Sequence, residues 1–119
     1  MRSISRCVWR ISRAGGGLIE TLEAFLSGLA LETGAAASST AGLVDFKREG
    51  RSFASAQGNV VEFRLDPEVA DAVLGTPDTS ASGRAAGWVR LAPATPKPND
   101  FDRARAWFLS AFRYAGPTS

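Results

Sequence analysis

The segment Val60-Val61-Glu62-Phe63-Arg64-Leu65-Asp66-Pro67-Glu68 changes its hydrophobic period in mid-course. From Val60 to Leu65 apolar and charged residues alternate. A strand there turns Val61, Phe63 and Leu65 to one side and Glu62 and Arg64 to the other. At Asp66 helix-start chemistry takes over. Asp66 supplies a capping carboxylate, Pro67 suits the first helical position, and Glu68 favours the positive end of the helix dipole. Val69, Val73 and Leu74 give the short helix its apolar side, and Gly75 ends it.

Working upstream, Leu43 to Lys47 alternates in the same way, with Val44 and Phe46 on one side and Asp45 and Lys47 on the other. Glu49-Gly50 is a turn, Ser52 to Ala56 a second strand with Phe53 inward, and Gln57-Gly58-Asn59 another turn. Ala35 to Thr40 is small and polar and reads as a loop. Before it, Leu18, Ile19, Leu22, Phe25, Leu26 and Leu29 recur at helical spacing and predict a helix from Leu18 to Leu31, ending before Gly34.

Working downstream, Thr76 to Gly87 reads as a loop and Trp88 to Leu91 as a fourth strand. Pro93, Pro96 and Pro98 make an extended connector. Asn99 or Asp100 then caps a last helix, whose apolar face is Phe101, Ala104, Trp107, Phe108, Ala111 and Phe112. The order is α-β-β-β-α-β-α. It predicts a two-layer α+β domain, with an antiparallel sheet of about four strands covered on one face by the N- and C-terminal helices.

The chain has 119 residues, enough for one domain, which the pattern places at 18–115 with a short tail at 116–119. Residues 1–17 differ in character: Arg2, Arg6, Arg10 and Arg13 precede Gly15-Gly16-Gly17 with no acidic residue among them. The remaining chain carries ten Lys and Arg against twelve Asp and Glu, so the basic pI of about 9.2 belongs to this extension. Ile4, Cys7, Val8 and Ile11 share one side of a helical wheel. The extension therefore reads either as a flexible basic tail or as an organelle presequence, which is Arg-rich, Ser-containing and acid-poor. Cys7 is the single cysteine, so no intramolecular disulfide exists. No apolar run approaches membrane-spanning length. The expected location is cytoplasmic, with organelle targeting by residues 1–17 as the alternative.

The chain contains no histidine. Ser-His-Asp and Cys-His nucleophile systems are thereby excluded, as are zinc sites built on His or clustered Cys. Lys47 and Lys97, the two lysines, sit in no catalytic motif, and the triple glycine lacks the Lys-Ser/Thr of a phosphate loop. Asp66, Glu68 and Asp71 read as cap and dipole residues rather than a cation site, and Asp100 and Asp102 read the same way. No cofactor and no metal is expected. What stands out is the outward face of the sheet. With Val89 and Leu91 inward, Trp88 and Arg90 face out beside Arg64 and Lys47, and Arg84 lies in the adjoining loop. An aromatic ring among guanidinium groups holds anionic or aromatic ligands, or anchors a partner protein. The opposing reading is that Trp88 wedges under a loop while the charges pair with Asp45 and Glu62.

Gly50-Arg51-Ser52-Phe53-Ala54, Val61 to Glu68, Trp88-Val89-Arg90-Leu91 and the closing amphipathic helix from Asp102 to Tyr114 together resemble two related groups of small bacterial proteins. One is the MmcQ/YjbR-like family, with its CyaY-like fold. The other is a group labelled "luciferase domain", a label that implies no light-producing chemistry. The resemblance implies a CyaY-like fold and, through the YjbR-like group, DNA binding. It carries no catalytic residue over, and this chain departs from it in having no histidine near the hairpin. Three functional readings follow. The first is a non-catalytic binding or interaction domain taking a protein or a small anionic ligand on Trp88, Arg90, Arg64, Lys47 and Arg84. The second is a nucleic-acid-binding protein. The third is an enzyme with a loop-lined Arg/carboxylate site.

Overall fold

In the computed structural model, which describes residues 21–116, the alternating run from Val60 becomes the centre of the molecule. The elements are α1 (Leu22–Thr33), β1 (Ala36–Thr40), β2 (Leu43–Arg48), β3 (Arg51–Gln57), β4 (Val60–Arg64), α2 (Pro67–Val73), β5 (Thr79–Ala81), β6 (Trp88–Leu91) and α3 (Pro98–Tyr114). The six strands form one antiparallel sheet in the order β1-β2-β3-β4-β6-β5. The architecture is α+β. The core side chains of α1 and α3 join those of β2, β3, β4 and β6 in one cluster. The extension at residues 1–17 lies outside the described residues, as does the end of the C-terminal tail.

The sheet has two strands more than expected. β1 comes from the stretch read as a loop, and β5 lies inside the loop read from Thr76 to Gly87. Neither has apolar alternation to announce it, because neither buries an inward face. All five residues of β1 are exposed, and β5 shows only Thr79 half-buried. Backbone pairing makes these strands. Ala41 (φ 53°) and Gly42 (φ 84°) form a two-residue hairpin turn with both residues in the left-handed region, and the turn folds β1 onto β2 in register.

Val61, Phe63 and Leu65 are fully buried, as the alternation requires, each contributing roughly 1.5–3 kcal/mol by burial. The pairing shifts register between Phe46 and Lys47, so that Phe46 faces Ala54 while Lys47 faces Ser52. Phe53 is the extra residue of this bulge, and Phe53 and Ala54 are both buried. Phe53 meets Phe108 edge-on at 5.1 Å and Phe112 at 5.6 Å between ring centres, locking α3 to the sheet.

The helices differ in detail from their sequence patterns. Thr21 caps α1, its hydroxyl accepting from Ala24 N–H. The next free donors find the β3–β4 hairpin: Leu22 N–H donates to Asn59 Oδ1 and Glu23 N–H to Gly58 O, while Gly58 N–H donates to the Glu23 carboxylate. α2 begins as expected, with Asp66 accepting from Glu68 N–H. Its buried residues are Ala70 and Val73, however, while Val69 and Leu74 stay more than a third exposed. Seven residues make two turns, so only one position per turn reaches the core. α3 starts at Pro98 with Lys97 as its cap residue, not at Asn99 or Asp100. The proline supplies the first helical φ, and Asp100 reaches back to accept from Lys97 N–H at 2.8 Å.

Candidate functional site

The register defines the face that none of the helices among the described residues covers. Asp45 pairs with Ser55, Ser55 with Glu62, Glu62 with Arg90, and Arg90 with Ser80. Beside this row, Arg64 pairs with Trp88. Side chains alternate along each strand, so all of these project opposite to Phe63, Val89 and Leu91. Trp88, Arg90, Arg64 and Lys47 thus share the outer face.

Glu62 is its hub. Its carboxylate accepts from Ser82 Oγ at 2.9 Å, Arg90 Nε at 3.4 Å and Ser55 Oγ at 3.5 Å, and Arg84 Nη1 lies 3.6 Å away. Arg84 is brought there by the β5–β6 connection. Gly87 (φ 86°) turns the chain against β4, where a side chain would meet the Leu65 carbonyl oxygen at 3.0 Å, and Leu65 N–H donates to Gly87 O. From this loop Arg84 donates to Ser55 Oγ at 3.0 Å and lays its guanidinium 4.0 Å from the centre of the Trp88 ring. That stack leaves Trp88 only 8% exposed. The ring lies under a loop, and the surface it was expected to offer is held by Arg84.

The other expected residues are arranged around this hub. Lys47 Nζ lies 3.9 Å from Asp45 Oδ2, which also accepts from Ser52 Oγ. Arg64 diverges from the group, its guanidinium sitting 5.2 Å from the Tyr114 ring centre. Ser55 and Ser82, which bind the hub, escaped the sequence reading because a serine in a strand or loop carries no signal until register is known. The face can bind anions through guanidinium and ammonium groups.

A second polar group sits at the start of α3. Arg103 donates to Asp100 Oδ1 at 2.6 Å and to the Pro77 carbonyl at 2.8 Å, and its Nη1 lies 3.5 Å from Thr79 Oγ1. A cleft of about 540 Å³ lined by Asp78, Lys97, Asn99, Asp100 and Arg103 opens beside it. Burial pushes the Asp100 carboxyl up. Hydrogen bonds from Arg103 and Lys97 N–H, with the positive charges of Arg103 and Lys97, outweigh this and hold it below its ordinary value. Both terminal nitrogens of Arg103 are committed to the protein's own acceptors, so the pair fastens the β5 end of the sheet to α3. The i,i+3 spacing of Asp100 and Arg103 was the one sequence signal for it.

Among the described residues, no helix is long and apolar enough to cross a membrane. No protein family and no curated protein matches this sequence. Among solved structures, the chain is similar to a Pseudomonas syringae protein of known crystal structure, with a TM-score of 0.59 at 10% identity, over 77% of this chain and 96% of that one. At that identity the likeness is one of fold alone.

Proposed function

We propose that this chain is a non-catalytic binding domain whose site is the helix-free sheet face, and that its ligand is an anionic group on a small molecule or a partner protein. One observation carries the reading. The Glu62 side chain is 14% exposed, whereas those of Arg84 and Arg90, which share it, are 35% and 51% exposed. An approaching ligand meets guanidinium groups before it meets the carboxylate. Lys47 adds a third cation to this face against Asp45 and Glu62, although the chain beyond residue 17 is net acidic and Arg64 turns away toward Tyr114. A ligand anion would take over the role that Glu62 now shares between two arginines.

Nucleic acid is the polyanion to which the YjbR-like resemblance points, and its backbone phosphates suit the same cations. The test is titration of the full chain with pyrophosphate and with a fluorescent single strand and duplex, followed by the Arg Nε–Hε NMR signals and by anisotropy at two salt concentrations. The proposal expects the Arg84 and Arg90 signals to move and the R84A/R90A variant to lose binding. Binding that survives R84A/R90A rejects this face. Salt-sensitive binding of oligonucleotides, lost in the same variant, favours nucleic acid over small anions. The enzyme reading has less behind it, because Asp100 and Arg103, the most buried charged pair beside the cleft, are engaged with each other.

A further inference from the structure

The two edges of the sheet are unlike. The β5 edge is three residues long and follows Pro77. The β1 edge is Ala36-Ala37-Ser38-Ser39-Thr40, paired over its whole length with β2 without irregularity and exposed at every residue. It carries no charge, no proline and no bulge, the usual devices that keep a strand edge from pairing with another chain.

Register fixes which backbone groups are free. In a two-residue hairpin the residues flanking the turn exchange both hydrogen bonds, and bonded and non-bonded pairs alternate from there. Thr40–Leu43, Ser38–Asp45 and Ala36–Lys47 are then the bonded pairs. Ala37 and Ser39 turn their N–H and C=O groups away from β2, toward the open edge. We infer that β1 is a self-pairing edge, on which a second copy of this chain docks antiparallel about a two-fold axis at Ser38.

That axis sets Ala37 against Ser39 of the second copy and Ser39 against its Ala37, so the free groups of one strand meet the free groups of the other in four hydrogen bonds. Ser38 faces its own counterpart. No like charges are opposed, and no side chain on the strand is larger than threonine, so the two backbones approach without hindrance. The same smallness argues against a peptide partner, whose recognition needs pockets for alternate side chains. Leu31, 87% exposed, lies five residues before the strand. The contact is narrow, and the dimer is weak and dependent on concentration.

Sedimentation equilibrium of the full chain over a wide concentration range should show a monomer–dimer equilibrium. Ala37→Pro removes an outward N–H and leaves the bonds to β2 in place. It should weaken the dimer about tenfold or more, with circular dichroism unchanged. Ser39→Lys, which opposes the new charge to the partner strand, should do the same if the proline variant folds poorly. In a Cys7→Ser background, Ser38→Cys should oxidise to a covalent dimer faster than Ser80→Cys on the opposite edge, since the non-bonded pair brings the Cα atoms to about 4.5 Å. A chain that is monomeric throughout, a dimer indifferent to both edge variants, or equal crosslinking at Ser38 and Ser80 overturns the inference.

Discussion

Arg48 closes the end of α3 through a single residue, Phe112. Its Nη1 donates to the Phe112 carbonyl at 2.9 Å, and its guanidinium lies 4.2 Å from the centre of the same residue's ring. A charged donor on a terminal carbonyl satisfies a group the helix cannot, and it places positive charge at the negative end of the dipole. Arg48→Ala should lower stability by about 1–2 kcal/mol in urea denaturation. Arg48→Lys should recover only part of this, because a lysine cannot stack and donate with the same planar group. Equal stability of wild type and Arg48→Ala would show that the contact contributes nothing net.

Glu62 should restrain the proposed site as well as build it. Glu62→Gln keeps the shape and removes the charge that Arg84 and Arg90 share. Affinity for pyrophosphate or oligonucleotide should rise severalfold, while stability falls by about 1–2 kcal/mol as two guanidinium groups lose their counter-charge. Anisotropy titration and urea denaturation measure the two effects on one sample. A drop in affinity would mean that Glu62 contacts the ligand directly.

The stack of Arg84 on Trp88 is open to spectroscopy. With 5-fluorotryptophan incorporated, Arg84→Ala should shift the Trp88 fluorine resonance toward its solvent-exposed position and leave that of Trp107 unmoved. A resonance that stays in place would show the ring to be shielded by something other than the arginine.

Acid should loosen the β5 end of the sheet first. The Asp100 carboxyl is held below its ordinary value, so its ionised form is favoured by folding. That contribution is complete above the unfolded pKa of about 3.9 and is lost as pH falls through the lower folded value. Wild type should therefore lose stability on acidification below about pH 4, and Asp100→Asn should lose less over that window from a lower starting point. Amide exchange at Thr79 to Ala81 would localise the effect. Parallel acid curves for the two proteins would refute it.

The reading of Val60 to Glu68 carried well because burial and hydrogen bonding there agree with local pattern. Val61, Phe63 and Leu65 are in the core, and Asp66 caps α2. β6 likewise runs from Trp88 to Leu91 as its alternation requires. The pattern failed where strands bury nothing. β1 and β5 are strands by pairing alone, and Ala36 to Thr40 contains no large apolar residue. The outer face was legible in its parts, since Trp88 and Arg90 project to that side with Lys47 beyond them, although Trp88 lies beneath Arg84. Arg84 escaped assignment to a partner because its position depends on Gly87 turning the loop back over β4, a long-range fact that spacing cannot hold.

The docking of α1 on the β3–β4 hairpin has a consequence for synthesis. α1 leaves the ribosome before the sheet, yet two of its leading amides depend on Gly58 and Asn59, more than thirty residues later in the chain. A helix of 12 residues is marginal by itself. The nascent chain therefore gains no settled first helix until β4 has been made, and folding is deferred to a late, concerted step in which the helix and the hairpin complete one another.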